Sequence, residues 1–190
     1  IGAARRWIKS ELEKISADCG DCLEISMQRT LEKGNAKTRI IKDTEVVNVL
    51  AIKRGTNYPN RYVIMAGDID SRISDPLNYT DDSPGANDNA SGMAGVIEAA
   101  RILSKYDFAS SIILVGLSGE EQGLYGGKHL AAKAVEEGWD IVGVLNNDMI
   151  GNIEGVDGVI DNRTFRIFSD PTNPTDDDFK QRTRRYYGGE

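Results

Sequence analysis

Apolar positions along this chain follow two rhythms that take turns. Trp7, Ile8, Leu12 and Ile15 recur at helical spacing and predict a helix over 7–15. Leu23, Ile25 and Met27 alternate with polar neighbours and predict a strand over 23–31. Residues 46–52 and 61–66 are short apolar runs rich in β-branched side chains, as in strands covered on both faces. Residues 68–87 hold Pro76, Asn78, Asp81, Asp82, Pro84 and Gly85 and read as a loop. The loop is long enough to be functional, with Tyr79 a candidate to line a cleft. Helical spacing returns over 88–105 through Ala90, Met93, Ala94, Ile97, Ala100 and Leu103. A buried strand over 112–117, a helix over 124–136 and a buried strand over 141–145 follow. A last strand, over 164–168, leaves at Asp170-Pro171. Strands alternating with helices predict an α/β fold: a mixed, mostly parallel central sheet with helices on both faces.

Composition narrows the choice of function. The 190 residues suit a single domain over 1–190 that buries its core without staples. The longest apolar run, 112–117, is far too short to span a bilayer. A net charge of −7 argues against a nucleic-acid backbone as partner. Arg182, Arg184 and Arg185 read as a solvated face, and the aspartates at 176–178 as a solvated turn or helix start. The chain opens at Ile1 without Met or apolar leader and ends at Glu190 without a finishing signal, so a trimmed start and a missing C-terminal segment are expected.

Both cysteines lie in Cys19-Gly20-Asp21-Cys22. A structural zinc would need a second ligand pair. A redox motif would open a helix after a strand, whereas this pair precedes a strand-like run. A disulfide-closed turn in an oxidising compartment is favoured over both. Asn78-Tyr79-Thr80, Asn89-Ala90-Ser91 and Asn162-Arg163-Thr164 match the glycosylation pattern, which is common by chance.

The candidate chemistry sits where the strands end. Gly67-Asp68-Ile69-Asp70, Ser118-Gly119-Glu120-Glu121 and Asn147-Asp148 each place acids just past a predicted buried strand, and Asp88 opens the helix after the long loop. Ligands of α/β sheets bind outside the carboxyl ends of the strands. Taken singly, each acid reads as a helix cap. Arriving together at one edge, they read as a divalent-cation site, where one of a Glu pair binds metal and the other acts as general base.

Ala66-Gly67-Asp68-Ile69-Asp70-Ser71, Ser83-Pro84-Gly85-Ala86-Asn87-Asp88-Asn89-Ala90-Ser91-Gly92, Gly119-Glu120-Glu121-Gln122-Gly123-Leu124-Tyr125-Gly126 and Asn147-Asp148-Met149-Ile150-Gly151 stand in a telling order. In motif and spacing, 48–151 resembles the M28 (aminopeptidase Y-like) co-catalytic zinc peptidases. The resemblance implies a zinc-exopeptidase-like, phosphorylase/hydrolase-like sheet and hydrolysis of peptide substrates at their N-termini. It implies Asp88 as a carboxylate bridging two zinc ions, Glu121 and Asp148 as a ligand of one each, and Glu120 as the general base. Asp70 would be a neighbour that orients the first ligand. The resemblance also implies a secreted or periplasmic location, in keeping with the disulfide expected between Cys19 and Cys22.

The chain departs from that pattern twice. Asp68 stands where the family has a ligand His, and the second ligand His, expected well beyond the Asp-Met-Ile-Gly block, does not occur. The single histidine, His129, lies on the helix after the Glu pair and matches no family ligand. Asp68, Asp88, Glu120, Glu121 and Asp148 would set five anions against +4 from two zincs. Such an oxygen-only set leans toward harder cations such as Ca²⁺, Mg²⁺ or Mn²⁺. Two expectations therefore stand side by side: a metal-dependent aminopeptidase, and a weak or inactive relative or fragment that keeps the scaffold for a binding or structural role. A glutaminyl cyclase-like reading, with one zinc on the same fold, ranks behind them because the Glu-Glu-Gln-Gly-Leu-Tyr-Gly block fits the peptidase branch better.

Overall fold

The computed structural model describes residues 2–168 and 184–188, in two compact units that divide after Met149. In the first unit, α1 (Ala3–Asp18) leads to β1 (Glu24–Glu32), β2 (Thr44–Lys53) and β3 (Tyr58–Asp68). A widened helical turn (Ala86–Ser91) runs into α2 (Gly92–Leu103), followed by β4 (Ser110–Leu117), α3 (Tyr125–Glu136) and β5 (Asp140–Asn147). The second unit holds β6 (Thr164–Phe168) and β7 (Arg184–Gly188), paired antiparallel. The Asp170-Pro171 exit, the aspartates at 176–178 and Arg182 lie outside the described residues. Among the described residues no helix is long and apolar enough to cross a membrane.

The sheet of the first unit is ordered β1-β2-β4-β3-β5. β2 runs antiparallel to β1 and β4, while β3 runs parallel to β4 and β5. The parallel strands end in step, because Gly67 pairs with Gly116 on one side and with Asn147 on the other. This register carries the acids of three separate connections to one edge of the sheet.

Alternation along β2 divides the core. Val49 and Ala51 pack with Ile8, Leu12 and Ile15 of α1 and Val96, Ile97 and Ala100 of α2. Leu50 and Ile52 point the other way, into a cluster with Ile64, Ile113, Val115 and Leu130 of α3. Helices thus cover both faces of the sheet. Burying each large aliphatic side chain contributes roughly 1.5–3 kcal/mol. The turn from α1 into β1 is closed by the Cys19–Cys22 disulfide. It is also held by Ser16, whose hydroxyl accepts the Leu23 N–H and donates to the Leu23 carbonyl, both at 3.1 Å.

Two elements differ from the sequence reading. The run at 141–145 reads as a buried strand, yet β5 lies on the sheet edge, with Val144 59% and Leu145 62% exposed. An apolar run reports strand propensity, and it carries no information on the strand's place in the sheet. The predicted helix over 88–105 begins only at Gly92, because Asp88 (φ −110°, ψ 93°) and Asn89 (φ −132°, ψ 38°) are not helical. The side chain of Asn89 explains the delay, as the site shows.

Candidate metal-binding catalytic site

β3 delivers Asp68 as its last residue, buried at 5% exposure. Burial is the main reason that its carboxyl is pushed up to about 6, and the charges of Asp70 and Asp148 add to the effect. The Asn89 amide opposes the rise by donating to Asp68 Oδ2 at 3.1 Å. Two residues further on, Asp70 plays a different part. Its Oδ1 accepts the N–H groups of Gly119 (2.7 Å) and Glu120 (3.2 Å), and its Oδ2 accepts that of Glu121 (3.1 Å). Asp70 therefore shapes the loop that carries the Glu pair.

Glu120 and Glu121 follow β4 on that loop. Burial pushes Glu120 up to about 7, reinforced by the charges of Asp68, Glu121, Asp70 and Asp148. Glu121 pairs with Arg72, whose Nε donates to Oε2 at 2.5 Å, and Arg39 Nη1 donates to the Glu121 carbonyl. Asp148 follows β5, its carboxyl also raised by burial and then by Asp88 and Glu121. Asp88 is exposed in the irregular turn before α2. The structure thus brings Asp68, Asp70, Glu121 and Asp148 within electrostatic reach of Glu120, and it couples Asp88 to the group through Asp148.

None of these acids is consumed in capping a helix, the ordinary use of an acid at a strand-to-helix connection. Neither α2 nor α3 has a side-chain cap. The Gly92 N–H is instead accepted by Asn89 Oδ1 at 3.1 Å. Asn89, 2% exposed, fills its whole bonding capacity: Nδ2 donates to Asp68 and to the Asn147 carbonyl (2.9 Å), and Oδ1 also accepts from Met149 N–H (3.2 Å). It binds the ends of β3 and β5 to the start of α2. That role fixes its non-helical backbone and leaves Asn89 no access for a glycan.

A second buried amide, Asn48 in β2, holds the Glu loop from below. Its Oδ1 accepts Ser118 N–H at 3.0 Å, and its Nδ2 donates to the Gly126 carbonyl at 2.8 Å and to Gln28 at 2.9 Å. Gly126 has to be glycine, since a Cβ there would meet Asn48 Oδ1 at 2.4 Å and the Ser118 carbonyl at 2.5 Å. Asn48, Asn89, Arg39 and Arg72 are absent from the sequence-derived site. A polar Asn inside the apolar run 46–52 was the available signal for Asn48. Nothing local distinguishes the two arginines.

His129 sits on α3 and pairs with Glu32 of β1 through Nε2, apart from any of the site acids. Tyr79 is 77% exposed, with the Lys42 ammonium 4.7 Å from its ring centroid. Among the described residues no three His, Cys, Asp or Glu side chains already form a group able to hold a metal. The chemistry of the donors nevertheless fits a divalent cation: clustered carboxylates whose charges oppose one another.

Fold and site together define a class, an α/β protein with an acidic, oxygen-donor site outside the carboxyl ends of its parallel strands. The chain belongs to peptidase family M28, whose profile matches residues 48–176. A protein of Pyrenophora teres f. teres named a probable zinc metalloprotease is 40% identical over the whole chain, which spans 39% of that relative's length. The LapA aminopeptidase of Legionella pneumophila shares the fold, with a TM-score of 0.59 and 21% identity over 94% of this chain and 43% of its own. A glutaminyl cyclase from an Acidobacteriales bacterium has a TM-score of 0.60 and 27% identity, over 79% of this chain and 52% of its own.

Proposed function

We propose that this chain supplies the metal-binding core of an aminopeptidase, which hydrolyses the bond next to the free amino terminus of a peptide. The observation that carries this reading is the Glu120-Glu121 pair on a loop shaped by Asp70, within electrostatic reach of Asp68 and Asp148. Asp68, Asp88, Glu121 and Asp148 would hold the metal. The names of the relatives support zinc, and the oxygen-only donor set keeps Mn²⁺, Mg²⁺ and Ca²⁺ as competitors. A divalent ion bound there supplies Lewis acidity and activates water. Glu120 takes the proton of the attacking water and passes it to the leaving amine. The Cys19–Cys22 disulfide supports an oxidising, secreted or periplasmic setting.

A second reading rests on Asp68 in place of an imidazole donor: a weak or inactive relative that keeps the scaffold. Leucyl-p-nitroanilide hydrolysis by the zinc-loaded chain and by Glu120→Gln separates the two. The aminopeptidase reading predicts hydrolysis that Glu120→Gln abolishes with zinc content unchanged. Full activity in Glu120→Gln removes the base from its role. Bound zinc without turnover supports the scaffold reading, and ring closure of an N-terminal glutaminyl peptide instead of cleavage supports a cyclase.

A further inference from the structure

Among the described residues, one ion pair reaches the acidic edge, that of Arg72 with Glu121. Arg72 follows Asp70 by two residues on the long loop, so it approaches the Glu pair from the same segment that shapes the Glu loop. Its Nε donates to Glu121 Oε2, and its Nη1 is turned to the Ile73 carbonyl at 3.2 Å. Glu121 is the more sheltered partner, its side chain 11% exposed against 38% for Arg72. Asp68, Asp70, Asp88, Glu120 and Asp148 have no basic side chain at ion-pair distance among the described residues. The main chain of Glu121 is fixed twice, by Asp70 on its N–H and by Arg39 on its carbonyl, so the pairing is decided at the side chain alone.

We propose that Arg72 is an internal counter-cation that competes with a divalent cation for the Glu121 carboxylate and so sets metal affinity. The proposal rests on the reading of Glu121 as a metal ligand. A carboxylate has two oxygens, and one of them is committed to the guanidinium. A metal that takes Glu121 has to displace that bond or share the carboxylate with a neighbouring positive charge, and both weaken its hold. Arg72 is then a positioning residue that acts through Glu121. It keeps the acidic edge partly neutralised until a cation arrives.

Zinc affinity, read by competition against a chromophoric chelator, tests this directly. Arg72→Gln should bind zinc about ten-fold more tightly than the wild type, and the gain should vanish when Glu121→Gln is also present. Arg72→Lys keeps the charge but loses the planar fork, and a gain of roughly two- to three-fold is expected. That variant also serves if Arg72→Gln does not fold. Unchanged or weaker zinc binding in Arg72→Gln overturns the proposal while leaving Glu121 as a ligand. An equal gain in the Glu121→Gln background overturns it too. If the wild type binds no zinc at all, both the proposal and the ligand reading fall.

Discussion

The carboxylate of Asp70 governs the main chain of Glu121, accepting its N–H at 3.1 Å while also accepting those of Glu120 and Gly119. Three converging N–H donors on one carboxylate fix a loop backbone far better than one would, because both oxygens are satisfied at set angles. The position of the Glu pair therefore depends on a residue fifty places earlier in the chain, on a different strand's exit.

Asp70→Asn should expose this dependence. The amide replaces an accepting oxygen with a donor that faces an N–H, leaving at least one loop donor unpaired at a cost of about 1–3 kcal/mol. Peptide hydrolysis is expected to fall by roughly a hundredfold through misplacement of Glu120, with metal content retained. Unchanged kcat in a correctly folded Asp70→Asn would show that the loop holds its shape without the carboxylate.

Asn89→Ala removes the buried amide that joins β3, β5 and α2. Its four hydrogen bonds cannot be replaced by water at 2% exposure. A loss of about 3 kcal/mol in unfolding free energy is expected, measured by urea denaturation. A loss below about 1 kcal/mol would mean that the neighbouring groups find other partners.

Much of this fold was legible in the sequence, and the reasons differ from element to element. The strand runs at 46–52, 61–66 and 112–117 announce themselves because they are covered on both sheet faces. The acids at 68, 88, 120, 121 and 148 were visible because strand exits are where such sheets bind ligands. Apart from Asp70, their organisers were not. Asn89 hid inside a helical pattern that its own side chain delays, and Asn48 inside an apolar run. Arg72 depends on a contact across forty-nine residues, which no local pattern encodes. The edge position of β5 follows from pairing order, and periodicity does not record that order.

Gly126→Ala should be costly despite its small change in volume. The added Cβ would lie 2.4–2.6 Å from Asn48 Oδ1 and the Ser118 main chain, neither of which is a flexible side-chain end free to move away. A loss of about 1–3 kcal/mol is expected from the forced shift, read as a lowered midpoint in thermal unfolding. An unaltered midpoint would contradict the close approach of α3 to Asn48 and Ser118.

The Glu24–Arg54 pair predicts a pH dependence far from the site. Arg54 Nε and Nη2 hold the two Glu24 oxygens at 2.8 and 2.7 Å, and this holds the Glu24 carboxyl below its usual 4.5. A depressed carboxylate stabilises the folded state above its unfolded pKa, and that contribution is lost as pH falls through the folded pKa. Both side chains are substantially exposed, so Glu24→Gln should cost no more than about 1 kcal/mol at pH 7. The wild-type advantage should disappear on acidification below the folded pKa. An advantage that persists at low pH would assign the effect to packing.

The proposed aminopeptidase activity requires both a divalent metal at the acidic edge of the sheet and a free amino end on the peptide. The most direct measurement follows cleavage of one peptide with a free N-terminus and the same peptide N-acetylated, before chelation, after chelation and after zinc is restored. Cleavage of the free peptide only, abolished by the chelator and recovered with zinc, is expected. Cleavage that survives chelation, or that proceeds equally well on the acetylated peptide, would contradict it.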